Sequence, residues 1–165
     1  GYMYRLWPGL LCVLLLPIGA VQAEPIVVGW VERVRIIEAD FEVRAKLDSG
    51  ARHSSLSASD LVEFERGGQT WVRFLVRNWR DERVMIERPV SRTTRIKRHS
   101  AESQMRPVIE LTLCVGSLAR TVEVNLVDRE NFNYPLLVGR SFLAQGILID
   151  SAKRYVRSPT CGPHE

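Results

Sequence analysis

The sequence predicts an all-β domain with one short helix close to its C-terminal end. Three observations carry this. Apolar residues alternate with polar ones at period two, turn residues separate the alternating runs, and the single helical pattern, residues 141–145, stops at Gly146. Sandwich and barrel architectures both satisfy them. The series opens with β-rich residues 26–31, after which Val31, Arg33 and Arg35 alternate with Glu32, Val34 and Ile36. Phe41, Val43, Ala45 and Leu47 then alternate with Glu42, Arg44 and Lys46 and run into Asp48-Ser49-Gly50. Residues 71–76, 83–86 and 108–113 continue the pattern, and 121–127 follows the turn at Gly116-Ser117. No internal repeat or linker divides the chain, so one domain is expected over residues 24–165.

Composition narrows the function. With 165 residues, 45% hydrophobic and 25% charged, the chain suits one ordinary core. The net charge of +4 is mild and massed on no single element, which argues against a nucleic-acid partner. Three cysteines exclude a disulfide-rich scaffold and a four-cysteine zinc module. Residues 1–23 read as a signal peptide: Arg5 is the only charge, residues 6–21 are apolar, and Val21-Gln22-Ala23 offers a small-residue exit. Cleavage after Ala23 would place the protein in the periplasm, and membrane association follows only if the segment stays uncleaved. There, Cys114 and Cys161 either form one disulfide or leave Cys114 as a buried thiol.

The motif that carries chemistry is Asp48-Ser49-Gly50-Ala51 at the end of an apolar strand. Such a turn presents a carboxylate; Gly50 allows close backbone approach, and Ser49 brings a hydroxyl that can tie one loop to another. A second element, Leu136-Leu137-Val138-Gly139-Arg140, supplies a strand to pass beneath that loop. Two-carboxylate catalysis needs two aspartates sharing a proton, and only one Asp-Ser-Gly occurs, so the second would come from another copy of the chain. Asp150-Ser151-Ala152 is the internal competitor, but Ala152 stands where the turn wants glycine, and Asp150 reads as a strand-end residue.

These elements resemble the bacterial retropepsin-like aspartic peptidases, a family often labelled as ATP-dependent zinc proteases. The matching stretches are residues 45–56, 71–74, 95–97, 106–109 and 128–143, in the family's order. The resemblance implies a homodimeric, closed β-barrel of the retropepsin type, with Asp48 catalytic in each subunit. Ser49, Gly50 and Ala51 would shape its loop, and Arg52, Leu137, Val138, Gly139 and Arg140 would support it. Ser49 stands where the family more often has threonine and keeps the hydroxyl. Neither part of the label fits the residues. No phosphate-binding Gly-rich motif serves ATP, and His53, His99 and His164 are too scattered for a zinc site, so no cofactor and no metal are expected.

The expectation is therefore an exported aspartic endopeptidase-like hydrolase acting on peptide or protein substrates, with residues 77–105 as a basic flap. The alternative is a non-catalytic peptide-binding module on the same fold. Arg52 and Arg140 would each pair either with a carboxylate near the active loop or in a purely structural ion pair.

Overall fold

A computed structural model describes residues 1–4, 19–20, 22–98, 101–128 and 133–162. The apolar segment behind the expected signal peptide lies mostly outside these residues, as do His99 and His164. Among the described residues no helix is long and apolar enough to cross a membrane.

The fold is built almost wholly of strands. β1 (Ile26–Ile36) and β2 (Phe41–Leu47) form an antiparallel pair, joined by a 3-10 turn (Ile37–Ala39) that ends at Asp40 in the left-handed region. Then come β3 (Ser54–Ser57), β4 (Ser59–Arg66), β5 (Gln69–Arg77), β6 (Arg83–Pro89), β7 (Arg92–Arg98), β8 (Ala101–Val115) and β9 (Leu118–Val127). β10 (Leu136–Val138), the one α-helix among the described residues, α1 (Arg140–Leu143), and β11 (Ile147–Arg154) complete the order. Eight strands form one sheet in the order β11-β1-β2-β10-β3-β9-β8-β7, and β1 also pairs with β8 at Arg35–Cys114 and Ile36–Leu113. β4, β5 and β6 form a separate three-stranded sheet. The expected all-β class with one short helix thus holds, the helix beginning one residue earlier and stopping before Gln145.

Period-two alternation sets the core. Val34 and Ile36 of β1, Val43, Ala45 and Leu47 of β2, and Leu111 and Leu113 of β8 pack with Val72, Phe74 and Val76 of β5 and with Phe142 of α1. The small sheet therefore packs its apolar face on the large one.

Two expectations need correction here, and one left open is decided. Residues 77–105 are not one flap: β6 belongs to the small sheet, whereas β7 pairs with the first half of β8 in the large one. The crossover is at Val90 and Ser91, whose N–H groups donate to Thr70 O and Val108 O at 2.9 and 2.8 Å. Asp150 sits inside β11 and not at its end, paired in register with Gly29; its Oδ1 accepts the Ala152 N–H and its Oδ2 lies 3.4 Å from Lys153 Nζ. Of the two alternatives for Cys114, the disulfide is the one found. Cys114 is bonded to Cys161, which fastens the C-terminal tail to the end of β8.

That tail is also held by a buried carboxylate. Glu32 is 0% exposed and accepts from Gly29 N and Val156 N at 2.8 Å each and from Arg157 N at 3.1 Å. Glu32→Leu strands these three donors and is expected to cost about 4 kcal/mol. The measurement is the urea midpoint at unchanged slope. Glu32→Gln keeps one oxygen acceptor and is expected to cost less than half as much.

Candidate active site

The site begins with β2. Its alternation buries Val43, Ala45 and Leu47, which leaves Arg44 and Lys46 on the opposite face, and Asp48 continues that second face. β10 lies between the two strands flanking the Asp48 loop, parallel to β2 (Leu136–Ala45, Leu137–Lys46, Val138–Leu47) and antiparallel to β3. This places the apolar segment before Gly139 directly under the turn.

Hydrogen bonds then fix the loop. Asp48 N–H donates to Val138 O at 2.9 Å, and Asp48 Oδ1 accepts the Gly50 N–H at 2.8 Å. Ala51 N–H closes back on Asp48 O at 3.3 Å. On the far side, Arg140 N–H and Ser141 N–H donate to Ala51 O and Arg52 O at 2.8 and 2.9 Å. A Cβ on Gly50 would lie 3.0 Å from Asp48 Oδ1, so glycine there leaves room for the carboxylate itself.

The expected supporting residues divide. Leu137, Val138 and Gly139 sit at the loop's base, with Val138 and Gly139 buried. Arg140 Nη1 donates to the Ser49 carbonyl at 2.8 Å and makes no ion pair among the described residues. Arg52 is exposed, and its guanidinium pairs with no carboxylate among the described residues. Ser49 is exposed, and its hydroxyl has no hydrogen bond among the described residues.

Three residues beneath the loop carry a signal that sequence reasoning missed. Ser54 is buried, and its Oγ accepts the Gly139 N–H at 3.2 Å. Asn125 Nδ2 donates to Ser54 O at 3.0 Å, and Arg106, 6% exposed, donates from Nη1 to Asn125 Oδ1 at 3.0 Å. This chain ties the loop to β8 and β9. Alternation along β9 puts Asn125 on the face of Glu123, but no local pattern reveals its partner, 71 residues away.

The electrostatics of this face are basic. Lys46 Nζ lies 4.0 Å from Asp48 Oδ2, the lysine half exposed. Beside the loop, His53, Arg92, Thr94, Ile96, Val108, Glu123 and Asn125 line a cavity of roughly 210 Å³. Arg92 grips Glu123 with Nη2–Oε2 at 2.6 Å and Nε–Oε1 at 3.2 Å. That hydrogen bond holds the Glu123 carboxyl below its ordinary range and raises Arg92. Glu123 is thereby already neutralised, so Lys46, Arg52 and Arg140 outnumber the carboxylate of Asp48. No cluster of metal-ligating side chains occurs among the described residues.

Relatives sharpen what such a face is for. A Shewanella pealeana protein named Probable alpha-L-glutamate ligase is 33% identical over 116 residues, covering 68% of this chain and 25% of that protein. A protein of the same name from Desulfotalea psychrophila is 34% identical over 113 residues, covering 67% of this chain and 24% of that protein. The chain thus spans about a quarter of the length of the curated relatives it matches. A crystal structure of a Legionella pneumophila protein of unknown function is 31% identical, with a TM-score of 0.68, covering 79% of this chain and 96% of that one.

These names correct the expected activity, cleavage of peptide or protein substrates by an aspartic endopeptidase. Over this stretch the curated relatives are glutamate ligases by name. A strand ending in Asp-Ser-Gly signals the scaffold and its carboxylate but not the reaction carried out on it. The family description and the names of the curated relatives are nonetheless those of enzymes. A profile described as retropepsin-like aspartic endopeptidase RimB matches residues 27–160, the stretch in which β10 threads beneath the Asp48 turn, and the chain belongs to this RimB-like, retropepsin-like family.

Proposed function

We propose that this chain acts at Asp48 on α-linked glutamate chains and sets their length, in the service of an α-L-glutamate ligase. The observation that carries this reading is the basic face around Asp48, found in a stretch whose relatives are named for glutamate. Each residue of a glutamate chain brings one carboxylate, and a surface of arginine and lysine attracts it and fixes its register. Lys46 would share its charge between Asp48 and an incoming glutamate, while the exposed Arg52 and His53 meet its neighbours. Asp48 serves as the acid–base group, held by the Gly50 N–H so that one oxygen stays oriented and the other faces the chain.

Two further parts belong to the same proposal. The Cys114–Cys161 disulfide supports an oxidising compartment, in keeping with residues 1–23 as an export signal. The two β1–β8 pairs are taken as the seam of a closed barrel around the core.

The test uses a peptide extended with α-linked glutamates by an α-L-glutamate ligase, and an otherwise identical peptide extended with glutamine. Mass spectrometry counts glutamates per peptide after incubation, from acid to neutral pH. The expected result is a shifted chain-length distribution for the glutamate peptide alone. An unchanged distribution for both peptides at every pH, with no binding of either, would overturn the proposal.

A further inference from the structure

Away from the Asp48 loop, the β1–β2 pairing creates an unusual charge problem. Arg33 stands directly opposite Arg44 in the antiparallel register. Like charges so placed repel. The neighbouring pair solves this: Arg35 opposes Glu42, and Arg35 Nη2 lies 3.2 Å from Glu42 Oε1. Arg33 and Arg44 have no such carboxylate among the described residues, and the Nε of each is buried without a hydrogen-bond partner.

What the two guanidiniums do meet is aromatic. Both lie 5.1 Å from the Trp79 ring centroid, and Arg33 and Arg44 lie 5.8 and 5.6 Å from that of Tyr155. Ring faces attract cations but leave the charge in place. Trp79 is held there by its turn, in which Asn78 Oδ1 accepts the N–H groups of Arg80 and Glu82 at 3.0 and 3.1 Å. Arg44 and Trp79 line a cavity of roughly 460 Å³ together with Arg77 and Arg83; Asp60 is the one carboxylate in the lining among the described residues. Arg77 is itself paired with Asp81 at 3.1 Å, which leaves Arg44 and Arg83 as the lining cations without an ion pair among the described residues.

Position links this cavity to the site already described. Arg44, Lys46 and Asp48 follow one another at period two on the same face of β2, so Arg44 is four residues from Asp48. At about 3.3 Å per residue that is roughly 13 Å, the length of about four residues of any extended chain laid alongside. We propose that Arg33 and Arg44, framed by Trp79 and Tyr155, form a second carboxylate subsite, which holds the glutamate about four residues along the chain from the one at Asp48. This rests on the reading of the chain's substrate as an α-linked glutamate chain. A carboxylate seated there supplies the anion that Glu42 supplies to Arg35.

The test is calorimetric titration of the whole chain with α-linked diglutamate, hexaglutamate and hexaglutamine. Wild-type protein is expected to bind hexaglutamate at least about 10-fold more tightly than diglutamate, because only the longer chain reaches both sites. In Arg33→Met/Arg44→Met, whose side chains keep an apolar stem on the rings, that length advantage is expected to fall to within about twofold. Arg44→Lys, which keeps the charge but loses the plane, is expected to fall between them. Removing the opposed charges is also expected to raise the melting temperature of the unliganded protein, which separates loss of the subsite from loss of the fold. If the double variant melts normally and keeps the full length advantage, the subsite is wrong while the proposed substrate stands. If wild-type protein binds hexaglutamate no better than hexaglutamine, the substrate reading fails, and the subsite with it.

Discussion

Asp48→Asn is expected to lower the rate at which glutamyl chain length changes by about 10²–10⁴-fold, the usual contribution of a positioned acid–base group. Binding of hexaglutamate is expected to stay within about threefold, since the cations around the loop are untouched. The fold should also survive. Asp48 Oδ1 accepts the Gly50 N–H, and an asparagine oxygen accepts it equally well. What the substitution removes is the ion pair with Lys46, whose 4.0 Å separation and 49% exposed lysine make its contribution to stability small. The checks are initial rates from mass spectrometry, calorimetric affinity and a thermal melt on the same preparations. A variant that binds, melts normally and still alters chain length at the parent rate would remove Asp48 from the chemistry. One that fails to bind would instead give Asp48 a role in holding the loop open to substrate.

The elements that frame Asp48 were legible because each is written in local alternation. β2 is a clean period-two strand, and the Leu136-Leu137-Val138-Gly139 run is too apolar for anything but a buried strand. Elements whose burial depends on distant partners were not. β3 is Ser-Ser-Leu-Ser, with little apolar signal of its own; its place comes from pairing with β10 and β9. β7 carries Arg92, Arg95 and Lys97 and reads as part of a basic flap, yet it is the edge strand of the large sheet, where charged side chains guard an open edge. Glu32 reads as one more polar position in an alternating strand. Its burial follows from the return of the chain 124 residues later, which no local pattern announces. The links around the site were likewise hidden: Arg92 reads as part of a basic flap until Glu123 pairs with it, and nothing local names Asn125 as the partner of Arg106.

Gly139→Ala carries the largest expected effect on the Asp48 loop, and its cause lies in packing, not in backbone conformation. Gly139 has φ −94° and ψ 179°, extended angles that alanine adopts freely. A Cβ at this position, however, would fall 2.5 Å from His53 O, 2.7 Å from His53 C and 2.9 Å from Arg52 C. All three are backbone atoms, so no side chain can swing away to relieve the contact. Nor can the loop simply recede, because Ala51 O and Arg52 O are bonded to Arg140 N and Ser141 N on the residues that follow Gly139. Either these bonds and the Ser54 Oγ bond to Gly139 N break, or β10 slides out from between β2 and β3. The expected cost is about 3 kcal/mol or more, which lowers the melting temperature by roughly 6–12 °C in a chain of this size. Because the strain falls on the peptide units next to Asp48, hydrogen exchange should accelerate at Asp48 and Arg140 N–H before it does in β8 and β9. Gly67→Ala is the control. Gly67 has φ +60° and open space around it, so alanine there meets only the left-handed backbone penalty, about 1 kcal/mol, with no change at the Asp48 loop. Equal melting temperatures and exchange for Gly139→Ala and the parent would mean that the loop has room to move, and that the close seating of β10 under the Asp48 turn is not what fixes the carboxylate.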